Sequence, residues 1–157
     1  MLRLSFKLSG SDRLYISPKW ICNGHWMLKR EAAFHPHHRE ISKAFKPIQN
    51  HADGCYLQGY KAPASGTDFP AFEQVIPPKD GAKPAKLTGQ AKVSEMLDVI
   101  GLQYKADDGT EAWIAPEYAP LLALGEVWII DKHKPVRIEN AGELVGVVMP
   151  VRVEVAS

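Results

Sequence analysis

Cys22-x2-His25 and His51-x3-Cys55 place four thiol and imidazole donors in two short pairs, with His35, His37 and His38 between them. Zinc is held by thiolates and imidazoles in paired spacings, so these residues form a candidate metal set. The match is loose, because structural zinc sites more often carry a CxxC pair. Cys22 reads equally as a small core residue and the histidines as surface groups. Phosphate contact is a second kind of chemistry. Lys29, Arg30, Arg39, Lys43 and Lys46 lie in one basic stretch, and Lys83, Lys86 and Lys92 in another. Such groups can face a nucleic-acid backbone, or they can simply solvate a helix face and protect a strand edge. No nucleophile–base–acid arrangement, glycine-rich phosphate loop or pair of catalytic carboxylates is evident. Asp107, Asp108 and Glu117 read as isolated turn and helix residues, so catalysis is not expected.

Composition sets the frame in which those groups must be held. The 157 residues are 45% hydrophobic and 24% charged, the make-up of a soluble globular protein of one domain. A net charge of +1 neither identifies nor excludes a nucleic-acid binder, since a protein around DNA can keep its bases inside and its acids outside. Two cysteines make a disulfide framework improbable, and the chain carries neither a long apolar run nor a signal-peptide pattern. A cytoplasmic protein without membrane contact and without a cofactor is expected.

The elements follow from pattern and turn chemistry. Residues 2–8 alternate as a half-buried strand, and Leu14-Tyr15-Ile16 forms another before Pro18. Asn23-Gly24 is a two-residue type I′ signal that folds Trp20–Cys22 against Trp26–Leu28. The stretch from Pro36 to Phe45 reads as a helix with Ile41, Ala44 and Phe45 on one face, stopped by Pro47. Short strands are expected at Tyr56–Gln58 and Glu73–Ile76, and Lys79–Pro84 reads as a linker between two halves, residues 1–78 and 85–157. Apolar residues at 93, 96, 97 and 100 give a helical face ended by Gly101, although the neighbouring Leu102-Gln103-Tyr104 also suits a strand. The remainder reads as strand 111–114, helix Pro116–Leu124 stopped by Gly125, strand 127–130, turn 131–134, strand 136–139, turn 140–143 and strand 144–155.

Strand, helix and three strands, βαβββ, is the half-domain unit of processivity clamps. Three segments sharpen the likeness: Val147-Val148-Met149-Pro150-Val151-Arg152, Phe69-Pro70-x-Phe72-x-Gln74-Val75-Ile76-Pro77 and Asn23-Gly24-His25-Trp26. Together they resemble the closing strand, the linker into the third domain and the aspartate-glycine-histidine loop of the bacterial sliding clamp, the beta subunit of DNA polymerase III. The resemblance implies an α+β DNA-clamp fold of antiparallel sheets. In that family the three pieces line a hydrophobic cleft that binds short peptide motifs of polymerases, clamp loaders and repair proteins. By position, the implied cleft here is Gly24, His25, Trp26, Pro70, Val75, Val147, Met149, Pro150, Val151 and Arg152.

Apolar anchors such as leucine and phenylalanine would need a pocket with an adaptable Met149 and an Arg152 that reaches a polar rim. The resemblance therefore implies a non-catalytic protein of DNA replication, with motif-bearing replication proteins as partners, and double-stranded DNA and a homo-oligomer as further expectations. A clamp subunit has three such domains and this chain little more than one, so ring closure is not carried over. Two rival readings stand beside it: a metal-binding or enzymatic domain built on Cys22, His25, His51 and Cys55, and a decoy module that captures a replication factor without DNA.

Overall fold

The structure is a computed structural model and describes residues 14–56 and 72–151. The chain forms two compact units divided between Val75 and Ile76. The strand expected over 2–8 lies outside the described residues, as do Phe69, Pro70, Ala71 and Arg152. Both units are antiparallel sheets with a few short helices, so the coarse α+β class is the observed one.

The first unit is a four-stranded sheet in the order β4-β1-β2-β3, formed by β1 (Leu14–Ile16), β2 (Trp20–Cys22), β3 (Trp26–Lys29) and β4 (Gly54–Tyr56). Ser17 folds the first hairpin: its hydroxyl accepts the Trp20 N–H at 2.9 Å while its own N–H donates to the Trp20 carbonyl. The second hairpin forms where Asn23-Gly24 predicts it, but its central residues are Gly24 and His25. Asn23 instead caps the turn, its Oδ1 accepting the N–H groups of His25 at 2.8 Å and Trp26 at 2.9 Å. Only Gly24 has a positive φ, +92°, as in a II′ rather than a I′ turn.

Two helices cover this sheet, α1 (Arg30–Ala33) and α2 (Arg39–Phe45). The second starts three residues later than expected, because His35-Pro36-His37-His38 closes a turn of its own, with the His38 N–H on the His35 carbonyl at 2.9 Å. Ile41 and Phe45 are buried as the spacing requires, and Pro47 opens a further 3-10 turn, Lys46–Ile48. Arg30 ties the unit together: its guanidinium donates to the Asp53 carboxylate at 2.8 Å and to the carbonyls of Ser17 and His51.

The expected strand Glu73–Ile76 is a 3-10 turn, Phe72–Val75, with Val75 exposed. Pro77 and Pro78 follow directly and lack the N–H groups a ladder needs. The expected linker is a turn closed by the Ala82 N–H on the Lys79 carbonyl, and Lys83 and Pro84 already belong to the next strand.

The second unit contains β5 (Lys83–Val93), β6 (Val99–Ala106), β7 (Glu111–Ile114), a 3-10 turn (Pro116–Tyr118) running into α3 (Ala119–Leu122), then β8 (Glu126–Ile129), β9 (Val136–Asn140) and β10 (Glu143–Val148). The strands lie in the order β10-β9-β8-β5-β6-β7. Pro120 divides the expected helix in two, taking an early position of α3 where its missing N–H costs nothing. The Val151 N–H donates to the Trp113 carbonyl at 2.7 Å, joining the two ends of that order. Five strand spacings in a flat sheet would separate those ends by about 24 Å. The three residues from Val148 to Val151 reach only about 10 Å. The sheet is therefore curled on itself, with Ile114, Leu121, Ile129, Val136, Ile138 and Val148 in its core.

The helix expected over 93–100 is not formed. Ser94 to Asp98 instead turns β5 back into β6, with the Ser94 N–H on the Asp98 carbonyl at 2.8 Å and Leu97 in the left-handed region at φ +63°. A helix of that length is marginal in water without a surface to bury its apolar face, whereas the hairpin ladder satisfies the backbone directly. β-branched Val93, Val99 and Ile100 favour the extended form.

Candidate functional site

The residues of the implied peptide cleft fall in both units. In the first, Gly24 is exposed at the hairpin turn, His25 is half-buried, and Trp26 is buried with its ring edge-on to Phe45 at a centroid distance of 5.5 Å. Val75 is exposed in its 3-10 turn. In the second unit Val147 is buried in β10, and Met149 emerges immediately afterwards with 38% of its surface exposed. Pro150 and Val151 are half-buried, and Val151 is held by its bond to Trp113. Pro70 and Arg152 lie outside the described residues.

The basic residues divide into engaged and open groups. Arg30 is committed to Asp53, Lys83 to Asp108, and the Lys92 ammonium lies 5.6 Å from the centre of the Trp113 ring. The Lys83 ammonium and the N–H of Thr110 hold the Asp108 carboxyl well below the usual carboxylate range. Arg39, Lys43, Lys46 and Lys86 are exposed, and Lys29 is half-buried at the end of β3.

Cys22, His25, His51 and Cys55 do not converge. Cys22 and Cys55 both pair with Tyr15, from β2 on one side and β4 on the other. Two strand spacings separate them by about 10 Å, too far for two sulfurs that each bind one zinc at about 2.3 Å. The His51 ring packs against Tyr56 at 4.8 Å instead. Among the described residues no three His, Cys, Asp or Glu side chains are grouped to hold a metal. Both cysteines are buried and unbridged, and burial pushes the Cys22 thiol up.

Sequence reasoning missed a cavity of about 620 Å³ in the second unit. Leu87, Tyr104, Leu122, Val127 and Trp128 give it an apolar wall, with Lys86, Lys105, Asp107 and Glu126 around it. It opens where β5 parts from β8, since their pairing ends at Ala85–Val127. The buried indole N–H of Trp128 has no acceptor among the described residues. No local signal announces this cavity, because β5 and β8 meet only through a long-range pairing.

No helix among the described residues is long and apolar enough to cross a membrane. No protein-family model, curated protein or solved structure matches the chain.

Proposed function

We propose that this chain is a non-catalytic, clamp-like binding protein of DNA replication that receives short linear peptide motifs of the polymerase and clamp-loader type. The observation that carries the reading is the succession β7, α3, β8, β9, β10, which ends in buried Val147 and Val148 and then presents Met149 to solvent. A methionine exposed beside a rigid strand is adaptable apolar surface of the kind peptide-binding sites use. Within the first unit, Gly24 has open space where a Cβ would stand, so the β2–β3 turn is uncrowded. Exposed Arg39, Lys43 and Lys46 supply charge for phosphate contact if double-stranded DNA is a further partner.

Calorimetry with a peptide bearing leucine and phenylalanine anchors tests this reading. Saturable binding is expected in the wild type and a loss of about tenfold or more in Met149→Ala, the scale of a hot-spot truncation. Absence of binding to the wild type, or unchanged binding in Met149→Ala, would sink it. Tryptophan emission of wild type and Trp26→Phe adds the location, because the loop Gly24-His25 runs directly into Trp26.

A further inference from the structure

The β5–β6 hairpin carries an apolar face whose outer part is left uncovered by the described residues of the second unit. Residues opposite one another in a ladder share a face. Ala85↔Ala106, Leu87↔Tyr104, Ala91↔Leu102 and Val93↔Val99 are such pairs, and all eight side chains are apolar or aromatic. On the other face stand Lys86↔Lys105 and Lys92↔Gly101, with the Thr88 hydroxyl bonded to Gln103 at 2.7 Å. The apolar face begins in the core, at Ala85, Tyr104 and Ala106, and continues outward past the last partners of both strands. There Leu87, Val93 and Val99 are exposed, and at the tip Met96 and Leu97 show 83% and 84% of their surface. A continuous patch of this kind marks an interaction surface.

We infer that this face is the contact between two copies of the chain, packed ribbon against ribbon about a two-fold axis near Ala91–Leu102. The cavity bordered by Leu87 and Tyr104 lies at the root of the ribbon, Met96 and Leu97 lie at its tip, and Ala91 is about midway between. An antiparallel pair of ribbons therefore lays the tip of each copy over the cavity of the other, so knob and hole are matched twice in one isologous interface. The charges agree: Lys92 lies on the opposite face and stays in water, while Lys86 and Lys105 border the cavity, where Glu95 and Asp98 beside the incoming tip supply the opposite sign. Pairing through the edge of β5 beyond Ala85, which is unpaired among the described residues, is disfavoured, because ladder irregularities after Leu87 and Lys92 break that edge and its lysines would meet like charges. A lipid surface is disfavoured as well, since Glu95 and Asp98 flank Met96 and Leu97 and would enter the bilayer with them. The surface shares no residue with the peptide cleft and stands apart from that reading.

Sedimentation velocity on the full chain over a concentration series tests the interface. A dimer is expected for the wild type, and monomer for Met96→Asp with Leu97→Asp and for Val93→Lys. Leu97→Gly separates association from folding. It removes an apolar side chain from the contact and a left-handed leucine from the turn, so thermal stability is expected to hold or rise while the dimer Kd weakens by about tenfold. A wild type that stays monomeric, including one that floats with phosphatidylcholine vesicles, overturns the inference. So does a dimer that keeps its Kd in Leu97→Gly and in the tip double variant.

Discussion

The Lys79 ammonium meets the Glu139 carboxylate at 2.9 Å, joining the segment that enters the second unit to a strand far along the chain. Glu139 is 2% exposed at its side chain and also receives Arg137 at 3.3 Å, while the Arg137 guanidinium donates to the Pro77 carbonyl at 2.5 Å. Lys79 lies 5.0 Å from the centre of the Trp128 ring. One buried acid thus organises two bases and fixes residues 77–79 against β8 and β9.

Glu139→Ala is expected to destabilise the protein by about 3 kcal/mol, because Arg137 is left half-buried without its acid. Lys79→Ala should cost about 1 kcal/mol or less, since that ammonium is half-exposed and water replaces its partner. Denaturant unfolding of the two variants checks the asymmetry. Equal losses would show that the carboxylate is not the organising member.

Gly125 stands where the chain leaves α3 for β8, and a Cβ there would lie 2.2 Å from the Glu139 carbonyl oxygen. Its φ is not among the positive values, so the requirement is space rather than a left-handed backbone. Gly125→Ala is expected to cost at least about 2–3 kcal/mol, because the obstacle is the backbone of β9 and not a side chain that can rotate away. A thermal midpoint within a degree or two of the wild type would show that α3 and β9 separate easily.

The β9–β10 turn invites the opposite change. Ala141 and Gly142 both have positive φ, +52° and +81°, the backbone of a type I′ hairpin, and Ala141 is exposed. Alanine pays a steric cost there that asparagine or glycine largely avoids. Ala141→Asn should therefore stabilise by about 0.5–1 kcal/mol without touching the core, and Ala141→Val should destabilise. Chemical denaturation midpoints of the three proteins decide the point.

These positions also show what was legible in the sequence. The hairpins at 23–26 and 140–143 and the turns at 107–109 and 131–134 were readable because each is closed by its own residues, such as Asp131, whose carboxylate accepts the N–H groups of His133 and Lys134. Residues 93–100 were not, since their apolar spacing fits a helix and only pairing with β6 decides for the hairpin. Lys83–Ala85 pairs with residues forty or so positions later, so neither the curled sheet nor the cavity beside it has a local signature. Of the cleft residues, the hairpin that carries Gly24 and His25 was legible, but from Asn23-Gly24 and so one residue early, because Asn23 caps the turn instead of entering it. The burial of Trp26 against Phe45 was not, because it depends on where α2 packs.

Alkaline pH should expose a further cost of burial. Tyr118 is pushed up to about 12 by burial and by the neighbouring Glu117, and burial raises Tyr104 as well. An unfolded tyrosine loses its proton near pH 10. Between about pH 10 and 12 the unfolded chain therefore binds fewer protons than the folded one, so stability falls as pH rises through that window and is fully present below it. Tyr118→Phe removes this contribution. Its unfolding free energy should track the wild type up to about pH 10 and fall less steeply above, with one fewer late-ionising phenol in the absorbance titration. A parallel decline of the two proteins would show that Tyr118 titrates as an exposed phenol and that the loss comes from other groups.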